Sequence, residues 1–153
     1  MAPAAATRYQ ERLTVPWWWW LLAPLIIAAL SSPLVGGLPA PSGLIGLGLL
    51  LVAALVGLWW LGRIQIAVVD GELLVDDARL PLQWVAEAIP LDAAGRRELL
   101  GPAADPLAFV IQRPWLAGAV QVVLADPADP TPYWLISSGD PERLAAALNA
   151  GRP

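Results

Sequence analysis

"VPWWWWLLAPLI", residues 15–26, opens an uncharged run with four consecutive tryptophans. On a helix each step turns the side chain by about 100°, so four successive indoles point around the whole axis and no single core takes them all. A bilayer interface does, because an indole there keeps its ring in hydrocarbon and its N–H near water at every azimuth. The run stays uncharged through residue 35, and a second uncharged run over residues 42–62 ends on Trp59 and Trp60. Each has roughly the 20 residues that cross about 30 Å of hydrocarbon at about 1.5 Å per residue.

These runs predict two transmembrane helices, 17–35 and 42–62, joined by a short external loop over residues 36–41. Pro16 suits the first helical position, where its missing N–H costs nothing, so that Trp17, Trp18, Trp19 and Trp20 form the first turn. The link "GGLPAPSG" (36–43) brings the chain straight back, which puts Trp59 and Trp60 at the same interface. A cleaved signal peptide fits less well: Arg8 and Arg12 could open one, but a Trp-rich start and Pro24 make a poor apolar stretch. Arg8, Arg12 and Arg63 flank the Trp-bearing ends while the link has no basic residue. The positive-inside rule then predicts an inner-membrane protein with both termini cytoplasmic, residues 1–16 forming a short N-terminal segment and residues 63–153 the main cytoplasmic domain. Neither span carries an ionisable group, which speaks against a transport pathway.

Composition agrees. Of 153 residues, 58% are apolar and only 14% charged, on the membrane side of globular usage. Cysteine and histidine are absent, which removes disulfides, thiol nucleophiles, the usual zinc sets and the commonest general base. Every basic residue is arginine, and alanine, glycine and proline abound, a bias that fits a high-GC bacterium such as an actinobacterium. The net charge of −4 comes from acids lying almost wholly after Arg63. Only Arg96 and Arg97 cluster as basic residues, so no nucleic-acid partner is expected.

Beyond residue 62 the pattern shifts to short β-branched segments split by turns. "RIQIAVVDGELLV" (63–75) predicts a hairpin around Asp70-Gly71, the pair that a tight type I′ turn prefers. Further strands are expected over 78–82, 85–91, 107–111, 120–125 and 133–137, with a short helix over 93–100. "GDPERLAAALNAG" (139–151) predicts a closing helix in which Asp140 caps, Pro141 takes the first position, and Leu144, Ala147 and Leu148 make an apolar stripe. The expected fold is a membrane α-helical hairpin followed by a small α+β domain, a pleckstrin-homology (PH)-like bent β-barrel with a C-terminal capping helix.

The segments "YQERLTVPWWWW" (9–20), "GELLVDDARLPL" (71–82), "FVIQRPWLAGAV" (109–120) and "DPADPTPYWLISS" (126–138) resemble, in order, an actinobacterial family of small two-span membrane proteins, domain of unknown function 3093. The resemblance implies two spans and a cytoplasmic domain, and brings no activity or catalytic residue with it.

Arg113 stands two residues before Trp115, a spacing at which a guanidinium can lie over an indole; the plainer reading is a strand connection whose Trp plugs the local core. Asp126 and Asp129 in "DPADPTPYW" suggest a cation loop, but the following prolines favour a rigid turn, and no metal is expected. Tyr133 and Trp134 then begin a strand with one ring inward and one outward. Asp76, Asp77 and Glu72 could pose as paired carboxylates, yet beside a hairpin they read as a solvated edge. Arg96 and Arg97 could touch anionic lipid, but Asp92 and Glu98 flank them.

The function expected is a membrane-anchored interaction module without catalytic activity or cofactor, with the bilayer and a membrane protein as partners. The membrane-facing residues are Trp17 to Trp20, Trp59 and Trp60, and the candidate interaction residues are Arg113, Trp115, Tyr133 and Trp134. The alternatives are an accessory subunit of a membrane complex or transporter, or a membrane enzyme acting on lipid or envelope precursors through aspartates such as Asp76 and Asp77.

Overall fold

The structure, a computed structural model, describes residues 7–37 and 39–152. Residues 1–6 of the expected N-terminal segment, Leu38 of the expected external loop, and Pro153 lie outside the described residues. The chain forms two compact units. One is the stretch Thr14–Ile64; the other combines the residues before it with those after it.

The inserted unit holds two packed helices, α1 (Trp19–Val35) and α2 (Ala40–Leu61). Over Pro41–Leu61, α2 is long and apolar enough to cross a membrane; the apolar part of α1, Trp19–Pro33, is shorter. The expectation of two full-length spans is thus met in length by α2 alone. Trp17 and Trp18 form a turn rather than the helix start. Trp19 N–H reaches Pro16 O at 3.0 Å and Trp20 N–H reaches Trp17 O at 3.1 Å, the tight i to i+3 bonding common where a helix begins. At the far end α2 begins at Ala40, inside the stretch expected to be loop.

The other unit is α+β. Its first strand, β1 (Thr7–Arg12), precedes the helices, in a stretch expected to be a plain N-terminal segment. After the helices come β2 (Gln65–Val69), β3 (Glu72–Val75) and β4 (Ala78–Pro81), and the four make one sheet in the order β1-β2-β3-β4. Asp70 and Gly71 both have positive φ, 51° and 79°, as the type I′ turn between β2 and β3 requires. The alternation is strict: Ile66 and Val68 on β2 and Leu73 and Val75 on β3 are wholly buried, while their neighbours face outward or partly so. Ile66 opposes Val75 and Val68 opposes Leu73, so these pairs form the sheet's inner face.

A 3₁₀ turn (Leu82–Trp84) leads into β5 (Val85–Leu91), α3 (Ala93–Leu100), β6 (Phe109–Ile111), β7 (Ala119–Leu124), β8 (Tyr133–Ser137) and α4 (Pro141–Gly151). The second sheet has the order β5-β7-β8-β6, with β6 parallel to β8. All five residues of β8 are buried. Tyr133 and Leu135 pack on one face with Leu99 and Leu100 of α3, while Trp134 and Ile136 lie across from Val122 and Val120 on the other. Tyr133 and Trp134, expected to point one inward and one outward, are therefore both enclosed, because an inner strand covered on both faces has no outward side.

The strands do not close into a barrel. Among the described residues the free edges of β1 and β5 meet α4 instead of each other. Asn149 of α4 accepts from Ala88 N–H at 3.1 Å and donates to Ala88 O at 2.8 Å, and Arg152 donates to Ala86 O, so the side chains of the helix satisfy the open edge of β5. Leu144, Ala145 and Leu148 bury its inner face, where Ala145 replaces Ala147 in the expected stripe.

β1 and β2 are antiparallel neighbours, with Arg12 opposite Gln65. The ends of the insertion are therefore held side by side by backbone hydrogen bonds. Replacing Thr14–Ile64 by a short Gly-Asn turn should leave a folded, water-soluble α+β unit with a cooperative thermal transition by circular dichroism. Removing residues 1–12 as well should abolish that transition, because β2 and α4 both lose their neighbour.

Candidate functional site

Six of the nine tryptophans lie at one end of the helix pair. The start of α1 and the end of α2 approach each other there. A Cβ on Gly62, the residue ending α2, would sit 3.1 Å from Val15 Cγ2 and 3.2 Å from Val15 N, tighter than ordinary contact, so a side chain there would push Val15 back by a few tenths of an ångström. Around this point Trp17 is 75% exposed, Trp59 59% and Trp60 63%, while Trp18 and Trp19 pack ring to ring at 5.5 Å between centroids. Such a collar of exposed indoles is expensive in water and favourable at headgroup depth. The guanidinium of Arg63 lies 5.5 Å over the Trp59 ring, a cation–π contact.

The second feature is an open cleft of about 390 Å³ in the α+β unit, lined by Arg8, Tyr9, Gln10, Glu11, Gly139, Asp140 and Arg143. Its floor is a carboxylate with three donors. Glu11 accepts from Tyr9 O–H at 2.8 Å, Ser138 O–H at 2.7 Å and Gly139 N–H at 2.7 Å. Ser138 is fully buried and accepts in turn from Asp140 N–H at 3.1 Å. Asp140 caps α4 by accepting from Arg143 N–H at 3.2 Å, as its position in the sequence predicts. At the other end of the same helix, Arg8 donates to Ala150 O at 2.8 Å. An anion from β1 thus sits at the positive end of α4 and a cation from β1 at the negative end, the arrangement that the helix dipole favours. Burial, with the neighbouring Glu11, pushes the Tyr9 phenol up to about 12, against a smaller opposing pull from the Ser138 hydrogen bond. The cleft was not legible as a site in the sequence. Arg8 reads there as a topological charge, and nothing local ties "YQE" to a Ser-Gly pair more than 120 residues later.

The candidate interaction residues do not form one exposed patch. Trp134 packs at 4.5 Å against Phe109 at a 48° tilt, and Tyr133 receives Asp105 N–H at 3.3 Å; each ring is at least nine-tenths buried. Arg113 and the half-buried Trp115 belong to the connection between β6 and β7. Arg113 donates its backbone N–H to Ser137 Oγ at 3.0 Å and a guanidinium N–H to Gln112 O at 2.8 Å. Desolvation lowers its pKa, and the charge of Asp76 counters this. Arg96, weighed as a lipid contact, instead braces this loop by donating to the carbonyls of Arg113 and Leu116.

Asp126 and Asp129 form turns of the kind expected, accepting from Ala128 N–H at 2.8 Å and Thr131 N–H at 2.9 Å. The Thr131 bonds hold the Asp129 carboxyl below the usual range. Among the described residues no three acidic, histidine or cysteine side chains gather to hold a metal ion. Asp76 and Asp77 lie exposed in the turn between β3 and β4, where Asp76 takes a positive φ of 55°.

The chain belongs to the family described as protein of unknown function (DUF3093), which it matches over residues 8–148. That span includes the helix pair, the tryptophan collar and every residue lining the cleft. No curated protein and no solved structure matches the chain.

Glu11→Ala should destabilise the α+β unit by about 2 kcal/mol, since it strands the buried Ser138 hydroxyl and the partly buried Tyr9 hydroxyl and loosens α4, with Glu11→Gln costing less; chemical denaturation of the purified protein measures this. The raised Tyr9 pKa fixes a sign for alkaline stability. The neutral phenol is favoured in the fold, so its contribution is complete below 10.0 and is lost as pH rises toward about 12. Tyr9→Phe should flatten that part of the stability profile.

Proposed function

We propose that the chain is a non-enzymatic, membrane-anchored interaction module of a bacterial, actinobacterial inner membrane, crossing the bilayer twice with both termini in the cytoplasm. One observation carries the reading: Arg12 and Gln65 are register partners, so whatever lies between them begins and ends on one side. A chain that crosses once through α2 must then cross a second time, and α1 is the available segment. Its 17 helical residues span about 25 Å, short of a typical core by an amount that local thinning and the preceding Trp turn absorb. The arginines beside the tryptophan collar support a cytoplasmic placement of that end.

The α+β unit is the working part, with two sheets and a closing helix read as a PH-like platform. Its partner face is the cleft between β1 and α4, whose paired charges suit a polar protein segment better than the enclosed Tyr133 and Trp134. Absence of catalysis is supported by the roles the acids already fill: Glu11 binds three donors, Asp140 caps a helix, and Asp76 and Asp77 sit in an exposed turn.

The chain has no cysteine, so single-cysteine variants report topology cleanly. Alkaline carbonate should leave the protein in the membrane fraction. A membrane-impermeant maleimide on intact spheroplasts should label Gly37→Cys, and should label Asp77→Cys only after permeabilisation. Release by carbonate, or the opposite labelling, would overturn the proposal.

A further inference from the structure

We propose that Arg63 and Trp59 form a binding site for the phosphate of an anionic phospholipid headgroup. The inference deepens the membrane reading above and rests on it. Between Thr14 and Ile64 the chain has a single ionisable residue, and it is Arg63. That lone cation is exposed and lies at the end of α2, next to Trp59 and Trp60. Charge pairing elsewhere does not use it: among the described residues the ion pair present is Arg143 with Asp140, at 3.8 Å.

Its geometry suits a phosphodiester. The guanidinium carbon stands 5.5 Å over the Trp59 ring, so the indole covers one face of the planar group and restricts its swing. A guanidinium held by its face keeps its N–H edges free, and those edges match two phosphate oxygens as a fork. The backbone around it adds to the hold on the cation: Arg63 N–H turns back to Trp60 O at 3.4 Å, and the last carbonyls of α2 place partial negative charge beside it. The two neighbouring indoles are both more than half exposed, and indole favours the depth at which lipid phosphates lie. A zwitterionic headgroup brings its own cation to compete for the phosphate, whereas an anionic one does not, so the preference is for the anionic class.

The test uses the full chain in mixed phosphatidylcholine and phosphatidylglycerol nanodiscs, extracted with bound lipid for native mass spectrometry. Wild-type protein should retain phosphatidylglycerol about fivefold above its share of the disc, the size expected of one arginine near a membrane surface. Arg63→Gln should bring retention down to the disc composition, Arg63→Lys should keep only part of the preference because it lacks the fork, and Trp59→Leu should weaken it. Arg97→Gln, on α3, should change nothing. Equal retention of the two lipids by wild-type protein, or an undiminished preference in Arg63→Gln, overturns the site. Loss of the preference in excess inorganic phosphate would assign the pair to a soluble anion and overturn the lipid assignment. Incorporation is scored separately: a chain that does not enter discs defeats the membrane reading itself, whereas Arg63→Gln that enters normally and loses the preference supports the site.

Discussion

Antiparallel pairing of β1 with β2 is the constraint on which the other features depend. The two strands are separated in sequence by both helices, yet Arg12 lies opposite Gln65 and Glu11 opposite Ile66. This pairing makes the α+β unit discontinuous and turns the helix pair into an insertion whose two ends leave one sheet edge together. It also sets β1 beside α4, and the strand matches that helix at both ends, with Glu11 at the positive pole and Arg8 at the negative one. Without β1, the sheet would expose an unpaired β2 edge and α4 would lose its polar contacts on that side. The helix would then be held by Asn149 on Ala88, Arg152 on Ala86 and its buried apolar face alone.

Much of this was legible in the sequence, and for identifiable reasons. Asp70-Gly71 signals a turn through backbone sterics alone, Asp140-Pro141 signals a helix start through capping, and the strand Tyr133–Ser137 opens on two aromatics and carries a β-branched residue; each of these is a local signal. The failures share the opposite character. β1 reads "TRYQER", too polar to look like a strand, because its identity comes from a partner more than 50 residues away. The enclosure of both Tyr133 and Trp134 likewise depends on α3 and the core covering opposite faces of β8, which alternation within five residues does not reveal. The cleft is non-local in the same sense. Among the candidate sites, the exposure of Trp17, Trp59 and Trp60 at one end of the helix pair follows from two apolar runs joined by a short link, whereas the state of the 113–134 set depended on burial.

Charge is distributed between the two units in a way that separates their roles. All 13 acids and all but one of the arginines belong to the α+β unit, which is accordingly anionic, while the inserted unit is uncharged except for Arg63. On the proposed membrane reading, an acidic domain held at an anionic leaflet is repelled by it over about a Debye length, roughly 8–10 Å at physiological salt. On that reading, such repulsion discourages the domain from lying flat on lipid. The cleft itself is lined by two arginines and two acids, Glu11 and Asp140, so its lining carries no net formal charge.

The same connectivity dictates an order of folding. β1 is made first, but its strand partner β2 is complete only after both apolar helices, and the Ser138 and Gly139 donors to Glu11 come close to the end of the chain. Contacts of such large sequence separation are slow to form, and in this chain they have no local substitute. The helix pair is therefore synthesised while β1 still lacks its strand partner. Closing the sheet beforehand is impossible, because the residues that close it do not yet exist. The polar sequence of β1 suits that interval: a charged strand waiting for its partner resists the edge-to-edge association to which an apolar one would be prone. The feature that hid β1 from sequence reading is thus the one that lets it precede two long apolar helices and still pair after them.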